Sequence, residues 1–219
     1  MGFLKKFTKQ EISWMMYDWA NSAHSVIVVT ILPIFFDSVA SCTADSVSSM
    51  STWGYATSIA MAIVALAAPF LGVFGDIRGM RKKLFTAFLL LGVVSVAGLA
   101  FTPLMDFTSS TAAAGKVAML VLVLYILSTI GFDASCIYYD AFLTDVTTED
   151  RMDSVSTLGY GLGYIGGSTI PLLIFLIMNA VGVPMLTCLA FIFGFTAVWW
   201  LVFSLPLLKN CEQTTGKPY

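Results

Sequence analysis

The sequence predicts an all-α polytopic membrane protein built as a six-transmembrane-helix bundle. Three observations carry this. Hydrophobic residues make up 58% of the 219-residue chain and charged residues 11%, against roughly 25% charged in a soluble domain, so the polar surface is too small to cover an apolar core in water. The apolar residues gather into six runs, each long enough to cross a bilayer at about 20 residues per helix. Ten of the eleven Lys and Arg residues fall on one side of the resulting topology.

The spans are placed near residues 12–37, 53–75, 84–104, 116–143, 154–178 and 185–208, which makes 1–208 one transmembrane domain and 209–219 a cytoplasmic tail. Continuous long runs read as helices, because barrel strands would alternate over about 10 residues. The connections differ in kind. Residues 38–52 are small and polar with Asp45 as their one charge, 76–83 ("DIRGMRKK") are basic, 105–115 are small and polar, 144–153 are charged, and 179–184 make a tight turn.

Basic residues set the direction. Lys5, Lys6 and Lys9 precede span one. Arg78, Arg81, Lys82 and Lys83 join spans two and three, and Arg151 joins spans four and five. Lys209 and Lys217 follow span six, and Lys116 alone lies opposite. The positive-inside rule then puts both termini in the cytoplasm, with the cell membrane as the expected location. Trp14, Trp199 and Trp200 are expected as interfacial anchors on that side. The first run is too long, and lacks a small-residue cleavage site, for a cleavable signal peptide.

Several classes are set aside. The net charge of −2 and the lack of a basic stripe exclude a nucleic-acid partner. Cys42, Cys136, Cys188 and Cys211 lack metal or redox spacing, so no metal, cofactor or disulfide is expected. One histidine, no HExxH and no Gly-x-Ser-x-Gly argue against an enzyme.

Three carboxylates lie inside spans: Asp18, Asp133 and Asp140. An intramembrane carboxylate costs roughly 2.5–3.5 kcal/mol on insertion scales and marks a functional site by default. On span one, Tyr17, Asp18, Asn21, Ser22, His24 and Ser25 form one broad polar face. On span four, Thr129, Asp133, Cys136 and Asp140 step down one face. The carboxylates can bind a proton, hold a cationic group, or pair with a cation from another chain. On span five, Gly159, Gly163 and Gly167 repeat every four residues, a pattern for close helix packing. Tyr160 and Tyr164 lie on the adjacent face, and Pro171 invites a kink.

Residues 72–83, "GVFGDIRGMRKK", resemble the signature loop of the major facilitator superfamily. Gly72, Asp76, Gly79, Arg81 and Lys82 fit it, Ile77 and Met80 replace usual basic residues, and Arg78 is offset by one. The stretches "YDWANSAHS" (17–25), "YYDAFLTD" (138–145) and "SVSTLGYGLGYIGG" (154–167) are similar to the autophagy-related vacuolar amino-acid effluxers and their bacterial relatives. His24 stands where that family has an aromatic, Asp140 where it has Asn, and Thr144 where it has Pro.

The resemblance implies the first half of a twelve-span transporter whose site lies between two six-span halves. The tail "LLKNCEQTTGKPY" then looks like the start of the linker between halves. The expected function is secondary active transport of a small polar solute, an amino acid by the resemblance, with proton coupling expected from the intramembrane carboxylates. The pathway expected from the polar residues inside the spans is Tyr17, Asp18, Asn21, His24, Asp133, Asp140, Tyr160 and Tyr164, and the cytoplasmic gate that the resemblance implies is Gly72, Asp76, Arg78, Gly79 and Arg81. The expected partners are the bilayer, the solute, and a second copy or a separate six-helix half. The rival reading is a non-transporting subunit or fragment that assembles with such a half.

Overall fold

A computed structural model describes residues 6–43 and 46–216. Lys5, Asp45 and Lys217, used above in the charge and loop reading, lie outside the described residues. The described residues form the α-helices α1 Lys9–Thr30, α2 Leu32–Ala40, α3 Ser46–Gly75, α4 Arg81–Leu99, α5 Thr111–Val146, α6 Met152–Leu162, α7 Thr169–Ala180 and α8 Met185–Asn210. Among the described residues, six helical stretches are long and apolar enough to cross a membrane. Span one is α1 with α2, spans two to four are α3, α4 and α5, span five is α6 with α7, and span six is α8.

Helices α1 and α5 start ahead of their apolar runs, each behind a side-chain N-cap, Thr8 and Ser110. The Thr8 hydroxyl accepts the Glu11 N–H at 3.1 Å, and the Glu11 carboxylate accepts the Thr8 N–H at 2.7 Å. This reciprocal box satisfies two otherwise free donors and starts α1 at Lys9. Span one breaks at Ile31, just before Pro33, which supplies no N–H. Span five is interrupted by a π-helical turn, Gly163–Ser168, between α6 and α7.

Two apolar layers fill the bundle. The layer toward the basic ends holds Trp14, Tyr17, Phe85, Tyr138, Tyr139, Phe142 and Trp200. The opposite layer holds Leu32, Phe35, Phe36, Val121, Tyr125 and Phe193. Trp14 and Trp200 are therefore core residues, not interfacial anchors: they are 2% and 0% exposed. The Trp200 ring fills space that a side chain on Gly92 would need, where a Cβ would lie 2.4 Å from it.

The glycine repeat of span five packs on α1. A Cβ on Gly159 would lie 2.9 Å from the Asp18 carboxylate, one on Gly163 2.7 Å from the Ser22 hydroxyl, and one on Gly167 2.4 Å from the Trp19 carbonyl. Small residues here let the two backbones approach. Burial is uneven across the bundle. Of the most apolar window, 56% is buried in span one but only 11% in span two and 22% in span five. Spans two and five thus leave most of their surface to lipid or to another protein.

Candidate functional site: a cavity between spans one, four and five

A cavity of about 260 Å³ opens between α1, α5 and span five. From α1 it takes Asp18, Asn21, Ser22 and Ser25. From α5 it takes Phe132, Cys136, Tyr139 and Asp140, and from span five Tyr160, Tyr164 and Ser168. None of these eleven residues is basic. The helix bounds place Asp18 nine residues from the start of α1, about 14 Å deep at 1.5 Å per residue, and Asp140 six residues from the end of α5, about 9 Å deep.

Asp18 is 6% exposed and held by one neighbour. The Tyr139 hydroxyl donates to Asp18 Oδ2 at 2.8 Å. Tyr139 is itself fixed. Its ring stacks on Trp14 at 4.3 Å, and its backbone carbonyl accepts the Trp14 indole N–H at 2.9 Å. Asn21 donates weakly to Cys136 Sγ at 3.8 Å. Asp140, Tyr160 and Tyr164 are exposed and face the open side.

Five of the eight expected pathway residues therefore share this cavity: Asp18, Asn21, Asp140, Tyr160 and Tyr164. Tyr17, His24 and Asp133 do not line it. The broad polar face of span one divides into two stripes about 100° apart, the angle of one helical residue. Asp18, Asn21, Ser22 and Ser25 take the cavity stripe. Tyr17 and His24, seven apart, take the core stripe. Tyr17 is fully buried and shares a hydrogen bond of 2.7 Å with the Ser135 hydroxyl. His24 stacks on Phe132 at 4.7 Å and lies 4.8 Å from Trp200, and neither ring nitrogen finds a protein partner. Asp133 lies two turns beyond Asp140, and its Oδ2 is buried without a protein donor.

The region expected as a gate is more closely knit than its sequence shows. Gly79 turns the chain between α3 and α4 at φ +81°, a conformation that favours glycine. Arg81 is 4% exposed. Its Nη1 donates to the Asp145 carboxylate and, at 3.0 Å, to the Ala141 carbonyl, while Nη2 lies 3.6 Å from Asp76. Asp145, at the end of α5, is thus the principal partner of Arg81. Arg78 is exposed, and Gly72 meets no neighbour that a Cβ would touch. A second clamp joins α1 to the start of span five: Arg151 donates to both Glu11 oxygens, at 2.9 and 2.8 Å, and the Thr147 hydroxyl donates to Glu11 at 2.7 Å.

Sequence reading did not single out Tyr139, which lines the cavity, or Asp145, which meets Arg81. Tyr139 carries a signal, its place beside Asp140 on a helix already singled out. Asp145 lies 64 residues from Arg81, and no periodicity links them.

Comparison with known proteins assigns the family. The family model described as "Vacuole effluxer Atg22 like" matches residues 7–152. An uncharacterized MFS-type transporter of Bacillus subtilis (strain 168), YxiO, is 41% identical over 218 residues, covering 96% of this chain and 48% of the relative. The chain thus spans about half the length of that relative. No solved structure matches it. With six apolar helices among its described residues and a family match over residues 7–152, the chain is a multi-pass membrane protein that belongs to the vacuole effluxer Atg22-like family.

Proposed function

We propose that this chain forms half of a secondary active transporter that moves a small polar solute, of the amino-acid class, coupled to protons. The observation that carries this is the cavity: two carboxylates from different helices converge in a space without a basic residue. A carboxylate so placed costs insertion energy that a proton or a bound cationic group would offset. Asp18 and Asp140 are the proton and cation carriers in this reading. Tyr160 and Tyr164 contact the solute, and Tyr139, packed 4.8 Å from the Tyr17 ring, positions Asp18. Asp133 and His24 lie deeper in the bundle and complete the proton path. Asp76, Arg81 and Asp145 close the basic end, which faces the cytoplasm together with both termini.

The test begins with the mass of the purified chain in mild detergent, corrected for detergent. Two chains are expected. That assembly is then placed in liposomes containing a pH-sensitive dye, and an amino-acid mixture is added. A change in internal pH is expected, abolished in Asp18→Asn at unchanged mass. An assembled dimer giving no pH response to any component of the mixture refutes coupled transport.

A second reading is a half that works only with a separate six-span chain. It is favoured by the poorly buried spans two and five and by the relative's double length. A single-chain mass, with a six-span polypeptide retained from native membranes, selects it.

A further inference from the structure

The segment that leaves α8 does not turn away from the bundle. Residues 211–216 lie as a strap across the loop between α3 and α4. Their contacts converge on the gate. Asp145 Oδ1 accepts the Thr214 N–H and hydroxyl, both at 2.9 Å, and the Thr215 N–H and hydroxyl, at 2.9 and 2.8 Å. The other carboxylate oxygen takes Arg81. Gln213 bridges three backbone groups. Its Oε1 accepts the Gly79 N–H at 2.8 Å and the Arg81 N–H at 3.3 Å, and its Nε2 donates to the Gly75 carbonyl at 3.0 Å. Gly216 follows at φ +136°, where a Cβ would come within 2.8 Å of the Asp76 carbonyl oxygen.

Each contact has a physical sense. A buried carboxylate needs donors on both oxygens. Arg81 supplies one side, and the strap supplies all four recorded donors on the other. Gln213 caps free N–H groups at the start of α4, where no side chain from the preceding residues does so. The strap therefore ties the ends of α3 and α5 and the start of α4 into one unit.

We propose that Gln213, Thr214, Thr215 and Gly216 are positioning residues of the gate, holding Asp145 on Arg81 so that the basic end stays shut. Release of the strap frees one Asp145 oxygen and uncaps α4, and the end of α5 can then part from the loop. This rests on the reading of Asp76, Arg81 and Asp145 as a gate.

Cys136 lines the cavity and gives a readout that needs no solute. The test uses the full chain in inside-out membrane vesicles, with exposed Cys42 replaced by Ser. Cys188 and Cys211 are fully buried, whereas Cys136 is half-buried at the cavity, so accessibility separates the reporter from the other two thiols. The rate of Cys136 labelling by a membrane-impermeant maleimide is measured from the basic side. Thr214→Val/Thr215→Val, which loses two hydroxyl bonds to Asp145, and Gly216→Ala, whose Cβ would push the strap off the Asp76 carbonyl, are each expected to raise it about threefold to tenfold. Thr214→Ser/Thr215→Ser, which keeps the hydroxyls, restores the parent rate. Asp145→Asn raises the rate as well, and the valine pair adds nothing in that background.

Strap variants that label at the parent rate while Asp145→Asn labels faster overturn the strap and leave the gate standing. Parent rates in every variant, Asp145→Asn included, overturn the gate and the strap with it.

Discussion

The basic end of the bundle and the cavity above it treat charge in opposite ways. At the basic end the carboxylates of Glu11 and Asp145 are each met by a guanidinium. In the cavity Asp18 has one neutral hydroxyl donor, and no basic residue lines the space around it or Asp140. Both regions withdraw carboxylates from bulk water. Only the first returns the electrostatic cost from within the chain. Charges met inside the fold hold elements together, whereas carboxylates left open inside a membrane are available to something that comes and goes.

The largest expected effect comes from breaking a met pair. Arg81→Ala leaves Asp145 buried without its cation and should cost about 3–5 kcal/mol, as such breaks do. Thermal unfolding in detergent measures it, and a loss below about 1 kcal/mol would erase the contrast between the two regions. Arg151→Ala should lower the melting temperature by less, because that guanidinium is 39% exposed and water screens the pair. Tyr139→Phe removes the single donor to Asp18 and should cost about 0.5–1.5 kcal/mol, while shifting the pH dependence of transport. Asp18→Asn sits at the small end for stability, within about 1 kcal/mol of the parent, because it breaks no ion pair. A melting loss for Asp18→Asn as large as that for Arg81→Ala would mean that Asp18 is a structural charge.

Much of this was legible in the residues. Hydropathy and the skew of Lys and Arg pointed to the six-helix bundle. Helical spacing singled out Asp18, Asn21 and Asp140, because a carboxylate in an apolar run is conspicuous. Spacing alone could not decide which part of a broad polar face turns inward. Tyr17 and Asp18 are neighbours in sequence but about 100° apart around the helix, and only the packing of α5 and α8 assigns one to the core. Trp14 and Trp200 show the same limit: an aromatic near a span end suits the interface or the core equally until its neighbours are known. The Arg81–Asp145 pair and the strap are contacts between distant segments, and a pattern read along one helix carries no trace of them. The glycine repeat was legible as packing, but its partner, α1, was not.

The π-helical turn at Gly163–Ser168 decides how span five answers to a change in length. A wider turn holds one residue more than an α-helical turn would, so α6 and α7 are phased around it. Deleting one residue there would let the turn close to an ordinary α-helical one with its flanks still in phase. Tyr160 and Ser168, eight residues apart and lining the same space, would become seven apart and still share a face. Deleting one residue within α6 or α7 has no such slack, and would rotate one half of the span against the other by about 100°. Two deletions that hydropathy cannot tell apart would thus have opposite consequences for the site.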